Sequence, residues 1–417
     1  MTHPAANADR DDVLRYLRVF LSVANTGSVT RSSEQIFKAA SAITRALTQL
    51  EDLLGVELFE RRPRGMLLNA YGEAVHRRAL RIHKEIQQAA AALCQYRGSR
   101  IDPTPLSQLL LGGSKLRIFV SLAEHGQLAP VCQQLGLSKS GISMSLARLE
   151  EAVGQPLFRR MTQGLVVTEA GEQLLLHAKR AFAELRHIEA DLSALRGSLC
   201  GTITVGALPL CRTSLLPLAI ARLLQRYPGL KIKTSESPFA ELARGLRCGD
   251  IDFIFGALRQ GNEAAPFYSE ALFQDQVGIF CRRGHPLSRL QRTVRLAELQ
   301  GAGWILPRAE SPARQALVKA FQRGGLPSPE PSVESGDLAV VRQLLAHSEL
   351  LTACSAHQLH VELASGAIVP LAVDLGDTRR SIGISQRLGS SASPAIEALL
   401  EEIRQLCADL PDEAMAA

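Results

Sequence analysis

In the first hundred residues the apolar positions recur at helical spacing. Leu17, Phe20, Leu21 and Ala24 form one run that stops at Gly27 and Ser28, Ile36 marks a second, and Ile43, Leu47, Leu50 and Leu54 form a third. Steps of three and four place each set on one face of a helix, so three short helices are predicted, with a turn at the glycine. From Leu58 to Leu68 a central glycine divides two β-prone runs, which predicts a two-stranded wing. A long helical pattern follows from Gly72 to Arg97, with Val75, Ile82, Ile86 and Leu93 along one seam.

The same pattern returns 99 residues later without a gap. Leu17, Arg18, Phe20, Ser22, Ala24 and Gly27 recur as Leu116, Arg117, Phe119, Ser121, Ala123 and Gly126. Ile43, Leu47, Leu50, Glu51, Gly55, Leu58, Phe59, Arg61, Gly65 and Gly72 recur as Ile142, Leu146, Leu149, Glu150, Gly154, Leu157, Phe158, Arg160, Gly164 and Gly171. A register this regular identifies a duplicated unit. The second long helix is expected from Gly171 to Arg196, with a seam of Leu174, Leu185, Ile188, Leu192 and Leu195. Seams of this kind need a partner helix. Between the copies, residues 98–114 carry Pro103, Pro105 and paired glycines and read as a linker.

From Gly201 short apolar strands alternate with helices: Thr202 to Ala207, Leu215 to Arg226, Lys231 to Ser235, Phe239 to Cys248 and Phe253 to Gly256. This order predicts an α/β domain with largely parallel strands, whose ligands bind where loops leave the strand ends. The expected boundaries are 12–97 for the first unit and its helical tail, 98–114 for the linker, 115–170 for the second unit, 171–197 for its long helix and 200–407 for the α/β domain.

A chain of 417 residues is too long for one core, and 46% hydrophobic with 21% charged residues excludes a disordered or disulfide-stapled protein. The opening MTHPAANADRDDVL lacks a basic-then-apolar leader and no stretch is long and uncharged enough to span a bilayer, so a cytoplasmic location without membrane contact is expected. The eight cysteines are scattered without CxxC or nearby histidines, so buried free thiols are expected, and neither a metal nor a cofactor. A redox pair of Cys200 and Cys211 has no supporting spacing, and Arg212 is its sole basic neighbour in sequence. The net charge of +6 is uneven: residues 1–100 hold fifteen Lys/Arg against ten Asp/Glu, residues 101–198 ten against nine, and the remainder twenty-two of each. The surplus at the N-terminal end suits nucleic acid.

Three helices and a wing describe a winged helix-turn-helix, in which the third helix enters the major groove. Here a family resemblance becomes specific. LRIFVSLAEHGQLAPVCQQLGLSKSGISMSLARLEEAVGQPLFRRMTQGLVVTEAG resembles the N-terminal domain of LysR-type transcription regulators along its length, and LRVFLSVANTGSVTRSSEQIFKAASAITRALTQLEDLLGVELFERRPRGMLLNAYG resembles it nearly as well. GTITVGALP, SLLPLAIARLLQRYPGLKIK, LRCGDIDFIFG and VGIFCRRGHPL are similar to the family's effector domain, which is two-lobed like a periplasmic binding protein. ELLTACSAH, residues 349–357, departs from the family by lacking the glycines often found there. The resemblance implies a multidomain chain of two winged units with linker helices and a two-lobed α/β effector domain. In that family the linker helix pairs two subunits, so the second seam is expected to be a dimer contact, with a core-facing helix as the alternative for both seams.

By the same resemblance, Ser138, Lys139, Ser140 and Ser143 on the second unit's third helix would meet double-stranded DNA, with Arg160 on phosphate. The first unit offers Ala40, Ser41, Thr44 and Arg45, with Arg61, Arg62 and Arg64 in its wing. Ala39 and Ala40 stand where the family usually has Ser and Gln, which removes groups that read base edges, so strong but undiscriminating contact is expected of this copy, the alternative being a relic used only for packing or oligomerisation. A small organic effector, an anion by the chemistry of the site, would lie between the lobes. Its expected neighbours are Leu210, Arg212, Thr213, Ser214, Ser237 and Phe239 on the first lobe and Ser311, Arg314 and Ser335 on the second. RNA polymerase and further copies of the chain are the other partners such a regulator implies. No catalytic motif competes with this reading, so the chain is not expected to be an enzyme. The alternatives are a solute-binding protein, which would need an export signal, and a protein-interaction module built on the same folds.

Overall fold

The computed structural model describes residues 4–63, 65–96, 102–290 and 292–410. The first unit consists of α1 (Pro4–Thr26), α2 (Val29–Ile36), α3 (Ala40–Leu54), the hairpin β1 (Phe59–Arg62) and β2 (Gly65–Leu68), and the long helix α4 (Ala70–Tyr96). After α5 (Thr104–Leu110) the second unit repeats it as α6 (Ser114–His125), α7 (Leu128–Leu135), α8 (Lys139–Val153), β3 (Phe158–Met161), β4 (Gly164–Val167) and α9 (Glu169–Leu195).

The bonds that hold each unit repeat as closely as the sequence does. Glu51 accepts the Leu58 N–H at 2.8 Å, and Glu150 accepts that of Leu157 at 2.8 Å, tying the third helix to the start of the wing. Phe20 packs on Phe59 with centroids 5.6 Å apart, and Phe119 on Phe158 at 5.3 Å. In each wing a glycine of positive φ, Gly65 or Gly164, lies where a Cβ would collide with the carbonyl oxygen of the turn glycine Gly27 or Gly126. That contact is fastened by Met66 N–H to Gly27 O at 2.9 Å and Leu165 N–H to Gly126 O at 2.7 Å. Only glycine permits so close a backbone approach, which explains why the repeat keeps it at both places.

In this half of the chain two features differ from the sequence expectation. The described part of the linker, 102–114, contains α5, whose Leu106 and Leu110 are buried in the core shared by both units. The α9 seam, expected to meet a second subunit, is covered within the chain by α4: Val75, Ala79, Ile82, Ile86, Ala89 and Leu93 pack with Leu174, Ala178, Ala181, Leu185, Ile188 and Leu192 in one continuous core. The physical reason is local supply. The duplication places a second matching seam on the same chain, and burying each Leu or Ile there is worth about 1.5–3 kcal/mol.

The C-terminal half forms two lobes. The first holds β5 (Gly201–Ala207), α10 (Leu215–Arg226), β6 (Leu230–Ser235), α11 (Phe239–Cys248), β7 (Phe253–Ala257) and β8 (Phe267–Asp275). The second holds β9 (Val277–Arg282), β10 (Trp304–Leu306), α12 (Pro312–Arg323), β11 (Val333–Glu334), α13 (Leu338–His347), β12 (Leu351–Ser355), α14 (His360–Ala364) and β13 (Ile368–Leu371). β14 (Arg380–Arg387) and α15 (Pro394–Ala408) then return to the first. The sheet orders are β6-β5-β7-β14-β8 and β11-β10-β12-β9-β13. The sheets are mixed rather than largely parallel: β14 runs antiparallel to β7 and β8, and β9 antiparallel to β12 and β13. These are the strands next to the two crossings between lobes, where the chain reverses direction. Buried Asp275 ties the crossings together, accepting from Arg380 Nε at 2.8 Å and Ser355 Oγ at 2.5 Å.

The effector domain rests on both long helices. On α9, Lys179 bonds Asp250 at 2.8 Å and Arg186 donates to Gly249 O at 2.6 Å. On α4, Arg78 donates to Asp191 and Glu184 of α9 and to the carbonyls of Ser391 and Ala392 just before α15.

Candidate nucleic-acid interface and effector cleft

In the second unit Ser138 caps α8, accepting the Gly141 N–H at 3.1 Å, and its hydroxyl lies 3.1 Å from that of Ser140. Lys139, Ser140 and Ser143 stand exposed on the first turns of the helix, with Arg160 exposed in the wing. In the first unit Ala40, Ser41, Thr44 and Arg45 are exposed at the equivalent turns. Ala39 supplies no side-chain cap, and Thr44 spends its hydroxyl on the carbonyl of Ala40 at 3.1 Å. Arg62 pairs with Glu60 at 2.9 Å on the exposed wing. Arg61 lies in β1, and Arg64 falls outside the described residues.

Sequence reading missed apolar groups beside these helices. Phe37 is 93% exposed and has a left-handed backbone, φ 53°, where the second unit has Gly136, φ 66°. Met144 and Leu137 are likewise exposed next to the polar set of α8. An aromatic at positive φ is uncommon, and that anomaly alone marks Phe37.

The expected effector residues stand, with exceptions, at equivalent places in the two lobes. Arg212, Thr213 and Ser214 follow β5 and Ser237 follows β6, while Ser311 and Ser335 follow β10 and β11, so all lie beyond the carboxyl ends of parallel strands. The Thr213 hydroxyl reaches across the lobes to His357 O at 3.2 Å as well as to Leu210 O at 3.0 Å. Leu210 itself is part of the first lobe's core. Arg314 is committed elsewhere, to Glu334 at 2.6 Å and Pro307 O at 3.2 Å, so its charge is already neutralised. Ser335 Oγ accepts from Asp337 N–H at 3.2 Å in the turn before α13. Burial holds the His357 imidazole below its ordinary range against the pull of Asp275, with His360 adding to the depression.

One buried cation of the first lobe that feels a charge of the second was not singled out by the sequence. Arg259 follows β7, stacks its guanidinium 4.4 Å from the centroid of Phe239, and reaches Glu263 at 3.4 Å. Its side chain is 11% exposed and its Nη1 is buried without a hydrogen-bond partner. Burial lowers its pKa against the pull of Glu263, and the charges of Arg380 and second-lobe Glu310 also reach it. A buried donor left unpaired costs about 1–3 kcal/mol, so this group is suited to meeting an acceptor from outside the chain. The sequence signal was its place two residues beyond a strand end.

Thiol chemistry finds no support here. Burial pushes Cys211 well above the ordinary range and Cys354 and Cys407 to about 12, so their reactive thiolate forms are suppressed. Among the described residues no group of three His, Cys, Asp or Glu is placed to hold a metal, and no helix is long and apolar enough to cross a membrane.

Paired winged helices joined to a two-lobed α/β sensing domain define a ligand-responsive transcription regulator. Family comparison agrees: the bacterial regulatory helix-turn-helix model of the LysR family matches twice, at residues 14–73 and 114–172, and the LysR substrate-binding domain matches residues 196–408. The chain belongs to the LysR family, and is a transcription regulator with an effector-binding domain, not an enzyme. It is 44% identical over 393 residues to the HTH-type transcriptional regulator GalR of Pseudomonas putida, covering 94% of this chain and 97% of GalR, so that likeness spans both winged units. The HTH-type transcriptional regulator GbpR of Azospirillum brasilense is 29% identical, over 61% of this chain and 75% of its own. Among solved structures, a full-length OxyR variant from Pseudomonas aeruginosa superposes with TM-score 0.54 at 21% identity, over 70% of this chain and 93% of its own. CbnR complexed with its target DNA gives 0.50 at 19%, over 71% and 99%. The shortfall on this chain's side is of the order of one repeat.

Proposed function

We propose that this regulator binds DNA through both winged units, using Ser140, Lys139 and Ser143 on α8 and Ser41, Thr44 and Arg45 on α3, and that a small organic anion held between the lobes controls it. The observation that carries the DNA reading is the pair of exposed polar helix starts, each standing beside its own wing in the same frame of bonds. Arg62 and Arg160 suit phosphate, and Lys139 and Arg45 suit base edges. The anion reading rests on Arg259, whose buried Nη1 has no hydrogen-bond partner and whose guanidinium stacks on Phe239 at the start of α11. Arg212, half-buried after β5, is a second cation for it. Such a regulator works in the cytoplasm, associates with copies of itself and acts on transcription by RNA polymerase.

Lys139→Ala tests the first half. Relaxed sequence preference with little change in salt dependence is expected, whereas an equal loss on all sequences with a shallower salt slope would make Lys139 a phosphate contact. For the second half, thermal stability is screened against organic acids and neutral sugars. An acid is expected to raise it by mass action and Arg259→Ala to abolish the shift. Stabilisation by a neutral sugar alone would overturn the anion reading.

A further inference from the structure

The symmetry of the α4–α9 contact extends to individual ion pairs. Glu85 of α4 meets His177 of α9 at 2.7 Å, and Arg78 of α4 meets Glu184 of α9 at 2.8 Å. At the 99-residue offset Glu85 corresponds to Glu184 and Arg78 to His177, so the two bonds are one contact made twice with the roles of the helices exchanged. The early part of each helix meets the later part of the other, which makes the pair antiparallel. The seam obeys the same exchange: Ala79, Ile86 and Leu93 of α4 stand at the positions of Ala178, Leu185 and Leu192 of α9, and all are buried in the common core.

An operation that carries α4 onto α9 and α9 onto α4 is a two-fold rotation, the signature of an isologous interface. Here it is formed inside one chain. Each winged unit is bolted to its own long helix by matching bonds, Gly72 N–H to Asn69 Oδ1 at 2.8 Å and Gly171 N–H to Thr168 Oγ1 at 3.2 Å. The third helices α3 and α8 are therefore related by the same axis. Two recognition helices related by a two-fold read sequences on opposite strands in inverted order.

The surfaces they present are unlike. Ala39, Ala40, Thr44 and Arg45 of the first unit face Ser138, Lys139, Ser143 and Met144 at the same places in the second. Only α9 continues into the effector domain, and Arg196, just beyond it, donates to Gly55 O at 2.9 Å at the carboxyl end of α3. The geometry points to a DNA partner of a specific kind: one chain occupies both halves of an inverted repeat whose half-sites differ in sequence, so each chain binds in a single orientation. This rests on the reading that both units contact DNA.

Selection of binding sites from a random duplex library by the full chain tests it, with native mass spectrometry counting chains per selected duplex. Two unlike half-sites in inverted orientation at fixed spacing are expected, with one chain for each pair. Lys139→Ala should lose sequence information in one half and Arg45→Ala should alter the other. Should either variant unfold, the chain count on the wild-type complex still decides. One half-site per chain, or both variants affecting the same half, overturns the inference while leaving DNA binding by the family fold intact. A library that yields no consensus removes the DNA reading itself, and this inference with it.

Discussion

The two winged units are one body built twice, and they differ most visibly in what faces outward or toward the effector domain. Glu51 and Glu150, Phe20 and Phe119, and the glycine pairs of the wings do identical work in each. The third helices diverge at their tips, where Ser138 caps α8 and Ala39 leaves α3 uncapped. The two-fold contact diverges most at one pair of positions: Arg78 adds Asp191 and the Ser391 and Ala392 carbonyls, while His177 bonds Glu85 alone among the described hydrogen bonds. The shared bonds maintain the fold, and the unshared ones lie at the exposed helix tips and against the effector domain.

The largest asymmetry is expected at the paired bonds. Arg78→Ala leaves buried Asp191 without its cation and Glu184 with Arg387 alone, and should cost about 3–5 kcal/mol, whereas His177→Ala should cost only about 1 kcal/mol, as measured by denaturant unfolding. Equal losses would mean that the extra contacts of Arg78 contribute nothing. Next come the caps: Ser138→Ala should destabilise by about 1 kcal/mol and Ala39→Ser should stabilise by a similar amount, because the Ala39 backbone already suits a cap. No gain from Ala39→Ser would mean that the first unit is not limited by its missing cap. At the left-handed turn, Phe37→Gly should stabilise by roughly 1 kcal/mol or less and Gly136→Ala should destabilise by a similar amount. A loss on Phe37→Gly would show that the exposed ring makes contacts of its own in the free protein.

The smallest effect is on the acid side. Burial pushes Glu85 upward, but the hydrogen bond from His177 and the charges of Arg180, His177 and Arg387 outweigh it and hold the carboxyl below its ordinary 4.5. A depressed carboxyl contributes stability that is complete above that ordinary value and lost as pH falls through the folded one. Glu85→Gln should therefore flatten the decline in stability below pH 4.5, and an unchanged acid limb would assign that decline to other groups.

The repeat, the wings and the boundaries of α10 and α11 were legible because periodicity and glycine placement are local properties. Strand direction was not, since period-two alternation is the same for parallel and antiparallel neighbours. The partner of the α9 seam was equally hidden: apolar spacing states that a helix must be covered, not whether the cover comes from the same chain. In the cleft, strand ends located Thr213, Ser214, Ser237 and Ser311, but Arg314 and Arg259 look alike in sequence. Only packing reveals that Glu334 neutralises one and that the other is buried on Phe239 with a free donor.

Intrachain pairing of α4 with α9 is the central claim, and hydrogen exchange across a dilution series of the full chain tests it most directly. A pair formed within one chain is expected to keep the amides of 75–93 and 174–192 equally protected at every protein concentration. Protection of α9 that fades on dilution would place its partner in another chain and contradict the claim.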